Sequence, residues 1–337
     1  MLITNLAIFA IACIVLSRAG LLLVKALSNL SVLLKIREFT LTFIIMSIAT
    51  SLPDLSIAIT SATQGIPELA LGAVIGANIL DMTLVVGMAI ILTGGLDLSK
   101  RKEIIKNAFW LLPIAVLPII LFFIGGELSK LDGIILIAVF FIYIYCIFRE
   151  GRSLQDEAIR KDDIQEVKDE RREEKKEKIE EKKERKLFKK RDGVFGKIFN
   201  VFEFMKDWLL LGIAIILLVL SANYAVQYAR LLSIDLGFPE LLIGLIILAF
   251  GATLPELVFE ITAALKKRQG LLLADPMGSV VVNSTLVLGL VSVIHPIKAP
   301  FILFLTSALF MLFVLFMFAV FVATDRKLTV KEGIVLL

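Results

Sequence analysis

The sequence predicts an all-α polytopic membrane protein built from two inverted-topology repeats of about five transmembrane helices each, with broken helices at the midplane. Three observations carry that prediction. Hydrophobic residues make up 58% of the 337 positions and the mean hydropathy is +0.90, above what a soluble chain carries, while the charges are collected into a few stretches. The segment 45–87 recurs at 247–289, where a gapless shift of 202 leaves 14 of 43 positions identical, including Pro53/Pro255, Thr60/Thr262, Gly76/Gly278, Thr83/Thr285 and Gly87/Gly289. Basic residues crowd alternate short loops, which sets the two copies in opposite directions across the bilayer.

Crossing ~30 Å of hydrocarbon takes roughly 20 apolar residues. Runs of that kind lie near 3–30, 39–63, 67–93, 103–124, 131–148, 207–231, 239–265, 271–293 and 299–323, which predicts nine spans. A tenth run begins near Leu328 and reaches Leu337 after too few residues to cross, so it reads as incomplete or peripheral. The first run has no basic start, is far longer than a signal core and contains Arg18 and Lys25; it predicts a long, tilted first helix. Cys13 and Cys146 sit within apolar runs without ligand spacing and are expected to be packing residues. His295 is the single histidine, which excludes a multi-histidine metal cluster.

Lys35 and Arg37, Lys100 to Lys102 with Lys106, Lys266 to Arg268, and Arg326, Lys327 and Lys331 occupy one set of loops. The intervening loops carry only Lys130 and Lys298. The positive-inside rule therefore predicts a cell-membrane protein with its amino terminus outside. The expected domains are 1–148, the first transmembrane repeat; 149–206, a charged cytoplasmic linker; and 207–337, the second. The linker, rich in Glu and Lys, reads as a solvated and partly helical segment without calcium-loop spacing. No nucleic-acid partner is expected, and the predicted unit is a monomer in the lipid bilayer.

Each repeat is interrupted by a proline followed by an acid, Thr50-Ser51-Leu52-Pro53-Asp54 and Ala252-Thr253-Leu254-Pro255-Glu256. Proline donates no hydrogen bond and crowds the carbonyl four residues earlier, so each helix is expected to open there and free the carbonyls of Ala49 and Gly251. Free carbonyls at membrane depth need water or a cation, and a carboxylate there is reserved for a pathway or a partner. The following spans add Asp81, Ser279 and Asn283, with Asp275, Ser279 and Asn283 on one helical face. Thr50, Ser51, Asp54, Asp81, Thr253, Glu256, Ser279 and Asn283, with the carbonyls of Ser47, Ala49, Ala249 and Gly251, form an all-oxygen set. Such donors suit hard cations such as calcium rather than zinc or copper. Inverted repeats with broken helices are a secondary-transporter architecture.

These motifs resemble the alpha-repeats of the sodium/calcium exchanger family of cation/calcium antiporters, in its prokaryotic form. The resemblance implies a ten-helix fold with a central diamond of sites, in which Asp54 and Glu256 hold calcium and the surrounding hydroxyls and carbonyls hold sodium. The transported ions are then calcium and sodium, with no cofactor and no catalytic residue. Departures from the family pattern are Asp54 in place of Glu, Asp81 and Asn283 exchanged between repeats, Ala77 for a serine, Ala252 for a threonine, and Ala274-Asp275 for Gly-Asn. Asp54 with Asn78-x-x-Asp81 is closer to the potassium-dependent branch.

Three further acids have two readings each. Glu68 follows Pro67 and is expected to serve the first turn of its helix. Glu260 is one turn beyond Glu256 and is either a relay residue or a partner of Lys266 or Lys267. Asp275 either caps its helix or enters the site. Calcium exchange against protons would need a site acid able to take up a proton, Asp81 or Glu256. A channel is disfavoured because broken inverted repeats occlude rather than form a continuous pore. An intramembrane aspartyl hydrolase using Asp54 and Asp81 is disfavoured because the repeat pairs Asp54 with Glu256.

Overall fold

The computed structural model describes residues 2–33, 48–98, 102–158, 194–265, 272–324 and 327–337. The helices are α1 (Leu2–Leu33), α2 (Leu52–Thr63), α3 (Pro67–Thr93), α4 (Lys102–Gly125), α5 (Lys130–Ala158), α6 (Val194–Leu236), α7 (Glu240–Leu265), α8 (Ala274–Ile294), α9 (Phe301–Thr324) and α10 (Val330–Leu336). Among the described residues eight helices are long and apolar enough to cross a membrane, one fewer than the nine expected. The difference is the second run: α2 is 12 residues long, and the preceding part of that run, up to Ser47, lies outside the described residues. Large apolar side chains such as Phe123, Ile124, Leu131 and Ile302 are exposed along the helices, as a lipid-facing surface requires. Cys146 belongs to that exposed surface rather than to the packing, whereas Cys13 is buried.

The inverted repeat is visible in the packing. Gly87 and Gly289 occupy equivalent positions near the ends of α3 and α8. A side chain at Gly289 would meet the carbonyl of Gly133 in α5 at 2.9 Å, and one at Gly87 would meet the carbonyl of Gly333 in α10 at 3.0 Å. The chain ends flanking these contacts are tied in the same way. Strands β1 (Leu96–Asp97) and β2 (Lys327–Leu328) pair antiparallel, and an isolated antiparallel bridge joins Leu128 to Ile297. Each tie has an exposed ion pair, Lys327 with Asp97 at 3.8 Å and Lys298 with Glu127 at 3.4 Å. The seven-residue α10 thus packs against α3 as α5 packs against α8. It is started by a capping box between Thr329 and Glu332, which satisfies two orphan backbone donors.

Helices α1 and α6 pack along each other through Leu16, Leu23, Leu218 and Val226. Helix α1 also packs against α7, and α6 against α2. Helices α5 and α6 reach past the expected linker boundaries, to Ala158 and back to Val194.

Inside the bundle the two repeats touch backbone to backbone. Gly72 and Gly76 of α3 lie directly on the carbonyls of Leu241 and Leu245 in α7, and Gly244 lies on the carbonyl of Leu69. No larger residue fits at these crossings, and close helix approach of this kind is what small residues allow in lipid.

The expected opening at Pro255 is not found. A helical stretch runs through it from Ala249 to Leu265, because a missing N–H removes one bond only and the flanking turns are held by buried Ala249, Ala252, Ala263 and Ala264. At Pro53 the irregularity is a turn at Ser51 between short helical residues and α2. The larger departures are three π-helical turns, Asp81–Val85 in α3, Gly244–Leu248 in α7 and Val282–Val287 in α8. Turns of this type recur at functional positions, and the first and third coincide under the repeat.

Candidate functional site

Helix α2 delivers Asp54, α7 delivers Glu256, and the π turns present Asp81 and Asn283. Each side chain is buried where the inner helices cross. Asp81 opens the first of these turns and Asn283 is the second residue of the other, at equivalent positions of the two repeats.

Cross-repeat hydrogen bonds tie most of the set together. Asn283 Nδ2 donates to Asp54 Oδ2 at 2.9 Å and to Ser279 Oγ at 3.4 Å. Ser279 Oγ donates to Glu256 Oε1 at 3.2 Å and accepts from Ser51 Oγ at 3.3 Å. Ser279 therefore touches Glu256 directly and is linked to Asp54 through Asn283. Thr50 Oγ1 donates to Asp275 Oδ1 at 3.0 Å, so Asp275, in the first turn of α8, is also tied to the other repeat.

What remains unsatisfied is mostly carboxylate oxygen. Among the described residues neither oxygen of Asp81 has a hydrogen-bond donor, nor does Glu256 Oε2, nor does the Asn283 carbonyl oxygen. Asp54, Asp81 and Glu256 are close enough to repel one another, and no Lys or Arg forms an ion pair with any of them among the described residues. Buried polar groups ordinarily find partners, and bare acceptors of one sign call for a positive guest. No group of three or more His, Cys, Asp or Glu side chains could hold a metal alone among the described residues. A cation here would be bound by carboxylates together with the neutral oxygens of Ser51, Ser279 and Asn283, a donor set that fits a hard ion.

Two expected ligands are engaged otherwise. Thr253 Oγ1 bonds back to the carbonyls of Ala249 at 3.1 Å and Phe250 at 3.4 Å, so the hydroxyl of Thr253 and the carbonyl of Ala249 satisfy each other. Ser47 lies outside the described residues. Glu68 occupies the first turn of α3 as expected. The reading missed Asn78, whose Nδ2 donates to Ser284 Oγ at 3.0 Å across the repeats; an amide within an apolar run was the available signal. The π turns leave no signature in residue type.

An inverted-repeat helical bundle with paired buried acids at the crossing of its inner helices defines a membrane transporter of cations. A sequence model of the sodium/calcium exchanger protein family matches residues 4–149 and 206–337, and the chain belongs to that family. The sodium/calcium exchanger MaX1 of Methanosarcina acetivorans is 25% identical over 341 residues, covering 100% of this chain and 96% of the relative. The inner membrane protein YrbG of Escherichia coli is 24% identical over 255 residues, covering 75% and 68%. Solved structures of the sodium-calcium exchanger NCX_Mj share the fold. One soaked with 100 mM Na+ and 10 mM Sr2+ superimposes with a TM-score of 0.61 at 20% identity, covering 100% of this chain and 96% of that one. The chain is thus an integral membrane protein of a cation antiporter family.

Proposed function

We propose that the chain exchanges calcium for sodium across the membrane by alternating access, with Asp54 and Glu256 holding calcium from opposite repeats. The observation that carries this reading is the bonded chain Asp54–Asn283–Ser279–Glu256. It couples the two acids through neutral groups, with the bare carboxylate of Asp81 beside them. Calcium, with six to eight oxygen ligands in adaptable geometry, can draw on both acids and the hydroxyls at once. Thr50, Ser51, Thr253, Ser279, Asn283 and the carbonyls of Ser47 and Ala249 complete the proposed ligand set, Thr253 and Ala249 becoming available when their mutual bond opens.

Membership of the family and the soaks of its relatives with sodium and calcium or strontium support the ion pair, and the alternate basic loops support an amino terminus outside. One chain carries both repeats, so a single chain is the proposed transport unit.

A second reading, calcium against protons, draws on Asp81. A carboxylate enclosed without any donor carries either a cation or a proton. Uptake of radiolabelled calcium into proteoliposomes, driven separately by sodium, potassium and proton gradients, distinguishes the two. The sodium gradient is expected to drive uptake; uptake driven by the proton gradient alone would replace sodium with protons.

A further inference from the structure

We propose that Glu260 and Asp275 form a second cation site, a staging position for a hard divalent ion between the central acids and the Leu265 and Leu272 end of the α7–α8 hairpin. The proposal rests on the calcium reading above and adds a station that the repeat does not contain twice. Under the shift of 202, Glu260 corresponds to Ala58 and Asp275 to Ala73, so the first repeat has nothing of this kind.

The register of the α7–α8 hairpin makes the pairing. Glu256 of α7 is bonded to Ser279 of α8. The helices run in opposite directions from the connection at 266–270, so the residue one turn closer to that connection is i+4 on α7 and i−4 on α8. Those residues are Glu260 and Asp275, on the same faces as Glu256 and Ser279 and displaced by ~6 Å along the helices. Glu260 is within electrostatic reach of both Asp275 and Asp81, so the pair lies beside the central site.

Glu260 supplies the independent sign of a guest. Its side chain is 0% exposed, and among the described residues neither carboxylate oxygen has a hydrogen-bond partner. Lys266 and Lys267, the alternative partners, lie outside the described residues, and no ion pair to Glu260 is formed within them. Asp275 brings a second carboxylate, one of whose oxygens accepts from Thr50 of the other repeat. A divalent ion between Glu260 and Asp275 would therefore have acidic ligands from both strands of the hairpin. Through Thr50 its arrival is felt directly at the turn before Asp54.

Because this station lies on one side of the central acids, it should set calcium affinity from one membrane face only. The test is the calcium concentration for half-maximal exchange in inside-out and right-side-out membrane vesicles, for wild type, Glu260→Gln and Asp275→Asn. Each substitution is nearly isosteric, and Asp275→Asn keeps an acceptor for Thr50. The expected result is a rise of about tenfold at one face, the same face for both variants, with a change under about twofold at the other, as expected when one charged ligand is removed from a calcium site. Equal shifts at both faces, or none at either, would overturn the staging site while leaving the central calcium site intact. If Glu260→Gln removes a pH dependence of exchange without moving calcium affinity, Glu260 holds a proton and the cation proposal falls. Wild-type vesicles that move no calcium at either face would overturn the calcium reading itself, and this proposal with it.

Discussion

The two repeats share a backbone plan and differ in where they put their charge. Both place an acid after the proline, a π turn one helix later, and a glycine near the end of that helix against a partner helix. The first repeat adds a second buried acid at the π turn, Asp81, and keeps alanine at 58, 73 and 77. The second has the neutral Asn283 at the equivalent turn, a serine at 279, and acids at 260 and 275. The positions that agree hold the helix crossings, and those that differ set where the buried charge lies. Under the proposed mechanism, an asymmetric set of ligands on a symmetric fold would give the two faces different affinities.

The largest expected effects come from the matched pair. Glu256→Gln and Asp54→Asn should each lower the initial rate of calcium uptake by about 100-fold, since removing one charge from a desolvated site costs several kcal/mol and each ~1.4 kcal/mol is tenfold. Size-exclusion profiles should be unchanged. Near-normal uptake by both variants would detach the acids from transport.

Next in size is the glycine contact between α3 and α7. Gly72→Ala forces a methyl onto the carbonyl of Leu241, while Gly212, with nothing within 4 Å of an added methyl, tolerates alanine. Overpacking of this kind costs about 1–3 kcal/mol or more, so thermal unfolding in detergent should fall by several degrees for Gly72→Ala and stay level for Gly212→Ala. Equal melting temperatures would mean the repeats are not locked at this crossing.

The exchanged pair sharpens the comparison further. Asp81→Asn alone removes the bare carboxylate. Adding Asn283→Asp restores the charge count and sets a carboxylate against Asp54, where a bridging cation is needed. The double variant should recover several-fold more uptake than the single one; if it does not, the two π turns do not serve one cavity. The smallest effect is Ala77→Ser. By the repeat, a serine at 77 would stand toward Asp54 as Ser279 stands toward Glu256. It should raise apparent sodium affinity by a few-fold in sodium-driven calcium flux and leave calcium affinity nearly unchanged.

The sequence made the repeat, the helical class and the two post-proline acids legible, because a gapless shift and charges within apolar runs are strong signals. Ser279 is legible as a candidate through its helical spacing from Asn283, but the link that the two make together between Asp54 and Glu256 needs helices from both halves. Asp275 stands in a first turn, where an acid satisfies the helix dipole, and its bond to Thr50 of the other repeat needs helices from both halves to be seen. The behaviour of Pro255 was misread because proline's missing bond is local, while tertiary packing along Ala249–Leu265 holds the helix around it. The bond of Thr253 back to Ala249 is a common alternative for a buried threonine, invisible to residue type.

The central claim is that Asp54 and Glu256, from opposite repeats, grip one calcium ion. Equilibrium binding of radiolabelled calcium to purified wild type, Asp54→Asn, Glu256→Gln and the double variant tests it most directly, because residues that share a ligand are not additive. A shared ion predicts that each single substitution removes most of the binding free energy and that the double variant binds scarcely more weakly than either. Losses that sum across the two sites would contradict it, and would assign the acids to separate ions.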